Sequence, residues 1–484
     1  MYQEIEMSLK TSNKIFVIDG DTNYTYRDLL RMIKCIHTIL RKNNFARVLI
    51  HGKQSFFSYA SLIGTYLVGG TFCVLNEDIP ESRKQYIVDC FKPDIFMCEK
   101  KYMWDFEIPS YSFEEIYSLT NYDKKISNIY NNDILYVSFT SGTTGYPKGC
   151  KISRKAFEKF CDEALKILKL CESDICAQYV PLSFDMSLID VFGGALKKAT
   201  LVAFNSVSHK LRPGKYLLRY KVTFLNVVPQ FITILENGGN FDGRHLEHLR
   251  MIRFGGDKIS REYINRIFLY NPKIEIVSTY GTTETTCFCL QKVLNVNNYK
   301  SLCTTHAVVG RPLNGWMIDL ENKDSDGVGN LIIYGNYIGE GYIGEECKNK
   351  FFIKKGQDKL LYKAYSTGDY FKIYNDELLF VGRNDSQIKI NGKRFDLSEI
   401  ECIFYELGIN EVCSIFKSGR IHVFYTMPKG LEISEEKILL ELEHKIPSFA
   451  FPKNVKRLEE MPHNVNGKID RNALCKIEID NLNI

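Results

Sequence analysis

Residues 136–149 read Tyr-Val-Ser-Phe-Thr-Ser-Gly-Thr-Thr-Gly-Tyr-Pro-Lys-Gly. The apolar run that starts at residue 133 predicts a strand, and the hydroxyl residues set among glycines after it predict a loop. Glycine lets backbone N–H groups approach phosphate oxygens, Ser and Thr hydroxyls add donors, and Lys148 brings a positive charge. The stretch therefore reads as a phosphate-binding loop at the end of a strand. It is not a Walker loop, which needs Gly directly before the Lys and Ser or Thr after it; Pro147 and Gly149 stand in those places.

Outward from this loop, helical and strand patterns alternate. Helices are expected over Tyr26–Leu40 and Arg154–Leu170, and strands over 47–50, 94–98, 133–139, 200–204 and 224–228. Such alternation argues for parallel sheets with crossover helices. After about residue 305 short strands dominate, as at 330–334 and 378–381. The last hundred or so residues mix two helices, Leu397–Leu407 and Ser434–His444, with strands. A boundary is placed near Gly382–Asp385, where Gly-Arg-Asn-Asp reads as a turn.

Composition narrows the function classes. The chain has 484 residues, 45% hydrophobic and 25% charged, the balance of a soluble globular protein with an ample core. The net charge of +5 over this length gives no basis for a nucleic-acid groove or an anionic-membrane patch. The 15 Cys form no CxxC pair and read as reduced thiols, and the N-terminus lacks the apolar core of a signal peptide, so a cytoplasmic protein is expected. Gln54–Asn76 is uncharged and long enough to span a bilayer, but its Ser, Thr and Gly content and the Gly69-Gly70 pair favour a buried helix, a turn and a strand.

Six blocks carry a resemblance: Tyr-Thr-Tyr-Arg-Asp-Leu (24–29), Gly-Gly-Thr-Phe-Cys-Val-Leu-Asn-Glu-Asp-Ile-Pro (69–80), Tyr-Gly-Thr-Thr-Glu (280–284), Tyr-Ser-Thr-Gly-Asp (365–369), the segment 382–392 and Asn-Gly-Lys-Ile-Asp-Arg (466–471). With the phosphate loop, and in this order, the chain resembles the adenylate-forming superfamily of acyl-CoA synthetases, luciferases and adenylation domains of nonribosomal peptide synthesis. It is also similar to the D-alanine–carrier protein ligases. The resemblance implies an α/β protein: a large N-terminal domain of two α/β sheets plus a small β-barrel subdomain (1–383), then a small mobile α+β C-terminal domain (384–484). Departures are Asn76 for the usual Asp, Thr282 for Pro, Asn330 for Glu and Ser278 for Asn.

The same resemblance implies ATP-dependent activation of a carboxylate to an acyl-adenylate, with ATP and Mg²⁺ as cofactors. Thr140, Ser141, Gly142, Thr143, Thr144, Gly145 and Lys148 would hold the β- and γ-phosphates. Thr283 would contact the α-phosphate, Glu284 would hold Mg²⁺, and Tyr280 with Gly281 would lie along the adenine. Asp369 and Arg383 would reach the ribose. Lys468 would be the catalytic lysine, brought in from the small domain, with Asp385 at the hinge. The strand and turn 388–393 would face a thiol acceptor, with Gly392 allowing its arm to approach.

The substrate class turns on Ser-Phe-Asp-Met-Ser-Leu-Ile-Asp-Val-Phe (183–192). In adenylation domains for α-amino acids, the Asp of this motif pairs with the substrate ammonium; here it is Asp185. A carboxylate in an apolar pocket needs a cation; the competing reading is an N-cap for the next helix. The other pocket positions are Met186, Ile189, Asn226, Arg253, Gly255, Gly256, Thr279, Cys287 and Phe288. Met186, Ile189 and Phe288 would shorten the pocket. Arg253 reads two ways: inward, where it would suit an acidic substrate, or outward as an ordinary strand-edge charge. The expected partner is a small amino acid and then a phosphopantetheinylated carrier protein in trans, since only 16 residues follow Lys468. Coenzyme A as acceptor is the alternative, and neither nucleic acid nor membrane is expected.

Overall fold

A computed structural model describes residues 1–11, 13–75, 79–103, 107–123, 125–127, 129–140, 147–343, 350–383, 387–409, 411–428, 431–463 and 469–477. Its elements follow from local sequence. The helix Tyr26–Asn43 starts at a capping box, in which Thr25 and Asp28 satisfy each other's backbone N–H, and buries Leu29, Met32, Ile33, Ile36 and Leu40 along one face. The uncharged stretch 54–75 folds as the buried helix Phe56–Leu67, a turn at Gly69 and the strand Thr71–Leu75, as expected. No described helix is long and apolar enough to cross a membrane.

Among the described residues two large sheets form the body. One has seven strands, with Lys148–Ser153, Ile134–Thr140, Thr71–Leu75, Arg47–His51 and Ile95–Cys98 at its centre. The other has nine, with Glu275–Tyr280, Met251–Phe254, Phe224–Val227, Ile175–Gln178 and Thr200–Ala203 consecutive and parallel. These interior strands are almost wholly buried and mostly apolar, as expected within a parallel sheet, with Asn226 and Arg253 among the exceptions. A third, antiparallel sheet of five strands is built on the long strand Leu361–Tyr374, where the small β subdomain is expected.

Described residues between Phe395 and Val455 build a separate core that includes Ile400, Phe404, Val423, Ile438 and Leu442. Residues 387–477 carry the hairpin Gln387–Ile390/Lys393–Asp396 and a three-stranded sheet. The first two residues of the turn expected over 382–385 are strand instead. Gly382 and Arg383 end the strand Glu377–Arg383, where cross-strand pairing with Asp369 and Tyr370 extends the ladder; Asn384 and Asp385 lie outside the described residues.

Candidate active site

The site gathers at the C-terminal ends of the parallel strands, where open α/β sheets present their loops. The strand Ile134–Thr140 and the strand Lys148–Ser153 pair so that Thr140 and Lys148 stand opposite each other. The phosphate-loop residues between them, including Ser141, Gly142, Thr143, Thr144 and Gly145, lie outside the described residues. Thr140 Oγ1 is buried without a hydrogen-bond partner, and Lys148 is buried with Nζ 5.8 Å from the centre of the Tyr342 ring.

Across the cavity, Tyr280 ends its strand and Thr283–Thr285 form a single 3₁₀ turn. Gly281 is forced by contact: a Cβ there would sit 2.4 Å from Phe288 Cα. The Tyr280 hydroxyl donates to Asp369 Oδ2, while Arg383 forms an ion pair with Oδ1 across the strand ladder. Tyr280, Asp369 and Arg383 thus form one cluster.

Glu284 is buried and both its oxygens are taken. Arg394 donates to Oε1 at 2.9 Å and to Oε2 at 3.3 Å, and the Tyr342 hydroxyl donates to Oε1 at 2.8 Å. Despite its burial, these neighbours hold the carboxyl down at about 2. As arranged, the carboxylate does not fit the expected Mg²⁺, because a guanidinium already occupies its open side. No group of three metal-ligating side chains is found among the described residues.

The motif 183–192 supplies Ser183, Phe184, Asp185 and Met186 to the cavity. Asp185 opens the 3₁₀ turn Asp185–Ser187, and Ser187, without a side-chain capping bond, holds the N-cap position of the helix Leu188–Lys197, so Asp185 is not its N-cap. Asp185 Oδ2 is shielded from solvent without a hydrogen-bond partner. Burial pushes this carboxyl up to about 6, opposed by contact with Thr283. Asp185, Met186, Arg253, Gly256, Thr279, Cys287 and Thr283 line one cavity with Thr140, Asp369 and Arg383. Ile189 is fully buried in the main core, and Phe288 sits behind Arg253 as a wall.

Arg253 points inward. It lies on a central strand, not an edge, and is 2% exposed. Register places it directly beside Asn226, whose Oδ1 accepts from Nη1 at 2.8 Å. Asn226 Nδ2 in turn donates to Asp190 Oδ1 at 3.0 Å. The guanidinium lies 4.4 Å from the Phe288 ring centre, and over Gly255, where a Cβ would stand 2.7 Å from Nη2.

Sequence reasoning missed Asp190, Tyr342 and Arg394. Asp190 stands within the quoted pocket motif, where its spacing from Asp185 was the available signal. Tyr342 and Arg394 had no local signal, because their partner Glu284 is 58 and 110 residues away, respectively. Lys468 and Asp385 lie outside the described residues.

The family model described as AMP-binding enzyme matches residues 6–343. The chain belongs to this family. This AMP-binding enzyme is 27% identical to a D-alanine–D-alanyl carrier protein ligase of Listeria welshimeri, over 94% of both chains. It is 26% identical to bacitracin synthase 2 of Bacillus licheniformis, over 97% of this chain and 18% of that much longer one. Its fold matches the Vibrio cholerae adenylation domain AlmE, solved with glycyl-adenosine-5′-phosphate, with a TM-score of 0.85, 19% identity and coverage of 98% and 96%.

Proposed function

We propose that this enzyme is an AMP-forming ligase that activates an α-amino acid and passes it to the phosphopantetheine thiol of a separate carrier protein. In the first step an oxygen of the substrate carboxylate attacks the α-phosphorus of ATP. The bond from that phosphorus to the bridging oxygen breaks, and pyrophosphate leaves. In the second step the thiol loses its proton, its sulfur attacks the acyl carbon, and AMP leaves. Charge develops on phosphate oxygens, so positioned donors carry the catalysis.

The observation that carries the amino-acid part is Asp185 Oδ2, shielded and without a partner in the cavity that also holds Thr283, Asp369 and Arg383. A substrate ammonium supplies the missing cation; a fatty or aryl acid brings none. Thr140 and Lys148 would face the β- and γ-phosphates, Thr283 the α-phosphate, Tyr280 the adenine, and Asp369 with Arg383 the ribose. Lys468 would join them from a C-terminal unit, 384–484, that turns about Asp385 on the body 1–383. Mg²⁺ with ATP stays an expectation from the resemblance, because Glu284 as arranged has no oxygen to offer it. The carrier rests on the name of the Listeria relative; its amino acid is its own. The near-neutral charge favours no nucleic acid or membrane partner, and the cytoplasm is the compartment this reading needs.

Amino-acid-dependent exchange of pyrophosphate into ATP, across the twenty amino acids and D-alanine, tests the reading. Exchange with at least one amino acid is expected. Exchange only with a fatty or aryl acid would sink it. Aminoacyl transfer to a phosphopantetheinylated carrier, compared with coenzyme A, tests the acceptor.

A further inference from the structure

Asp185 accounts for the α-ammonium of an amino acid but not for its side chain, and the far end of the pocket bears on that. A buried guanidinium is retained only against compensating acceptors. Arg253 makes one hydrogen bond to the described residues, from Nη1 to Asn226 Oδ1. Its Nε is buried with no partner. Nε–H and the neighbouring Nη2–H form the side fork of a guanidinium, the pair that takes both oxygens of a carboxylate in plane. Phe288 covers one face of the guanidinium, and Arg253 lines the same cavity as Asp185. Gly255 keeps the space beside the guanidinium: a Cβ there would lie 2.7 Å from Nη2 and 2.9 Å from Cζ.

The charges near Arg253 do not neutralise it directly. Asp190 is reached only through Asn226, and its Oδ2 has no partner. Burial raises the Asp190 carboxyl well above its ordinary value, which favours its neutral form. Asp185 is the other carboxylate near Arg253, and in an amino-acid-activating enzyme its cation is the substrate ammonium. The pocket thus holds an anion and a cation, each short of a partner.

The geometry points to an α-amino acid with a side-chain carboxylate, of the aspartate or glutamate class, whose ammonium meets Asp185 and whose side-chain carboxylate takes the free fork of Arg253. The proposal rests on the amino-acid-activating reading. Met186 and Cys287 line the same cavity.

Pyrophosphate exchange with the full chain, compared by kcat/KM, tests it. Aspartate or glutamate should exceed asparagine, glutamine, alanine, D-alanine and glycine by about 30-fold or more, the range for a buried charge pair that loses one partner. Arg253→Gln should cut the acidic substrate by a similar factor and move the preference toward the matching carboxamide; Arg253→Lys should keep part of the acidic preference. A merely structural role would lower all substrates together. A small neutral amino acid as the preferred substrate of the unaltered enzyme overturns the proposal, whether or not the variants fold, and leaves amino-acid activation standing. Equal loss of all substrates in a folded Arg253→Gln variant also overturns it. Exchange confined to acids without an amino group overturns both readings.

Discussion

Asp185 is a buried carboxyl whose proposed role in recognition comes at a cost in stability. Its folded value of about 6 lies above its ordinary 3.8, so the charged form is disfavoured in the fold. For a carboxyl raised in this way, the penalty is fully present above pH 6 and fades as pH falls through 6 toward 4. Asp185→Asn therefore should stabilise the free protein at pH 7 by about 1–3 kcal/mol, read as a higher urea midpoint. The same change should lower amino-acid kcat/KM by about 30-fold or more, because the buried ammonium loses its anion. A lower midpoint with activity retained would contradict both halves. Binding of the amino acid should also weaken below about pH 6 with a one-proton dependence, measured by calorimetry, as the carboxyl protonates. The motif made Asp185 legible. Whether it capped a helix or faced a cavity was not, since both roles use the same residue type at the start of the same helix.

The hairpin Gln387–Ile390/Lys393–Asp396 reaches into the site on two contacts. Arg394 meets Glu284, and Gly392, at φ +75°, lies so close to the body that a Cβ would stand 2.1 Å from Val228 Cγ1. Its backbone also approaches Gly256, at φ +82°, where a Cβ would stand 3.4 Å from Gly392 Cα. Both positions favour glycine for its positive φ and for the close approach of two chains. Gly392→Ala should push the hairpin off, and Val228→Ala in the same chain should partly restore it. Hydrogen exchange over 387–396 reads this directly. Aminoacyl transfer should fall about tenfold while pyrophosphate exchange is spared, if the hairpin serves the second step. Arg394→Ala leaves Glu284 buried and unpaired, and should cost about 3–5 kcal/mol in urea unfolding. A change below about 1 kcal/mol would show that Tyr342 alone satisfies Glu284. The strand and turn were legible from their block; the packing of Gly392 on Val228 and the pairing of Glu284 with Arg394 were not.

The two parts of the molecule also meet away from the site. Arg83, on the helix Glu81–Phe91, forms an ion pair with the buried Glu399 of the helix Ser398–Glu406 and donates from Nε to the Lys445 carbonyl at 2.6 Å. Ser82 Oγ donates to the His444 carbonyl at 2.9 Å. These contacts orient residues 387–477 so that their hairpin enters the cavity. Arg83→Ala should raise hydrogen exchange in Glu81–Phe91, Glu435–Lys445 and the hairpin together, while leaving the strand Met251–Phe254 protected. Rising exchange in that strand would mean the body itself was weakened.

Across the chain, local pattern was enough for the α/β class and for most elements, while the expected nucleotide residues came from the resemblance of the blocks. Strand and helix periods are written in nearest neighbours, and glycines and hydroxyls at a strand end announce a phosphate loop without help from distant residues. The direction of Arg253 was open to either reading until strand order was known. On an edge strand it would be a solvated charge. Between Phe224–Val227 and Glu275–Tyr280 it is buried, bonds to Asn226 and lines the cavity. The partner of Glu284 was likewise beyond reach, because a guanidinium 110 residues away competes for the same oxygens as a metal, and only proximity in the folded chain says which is there.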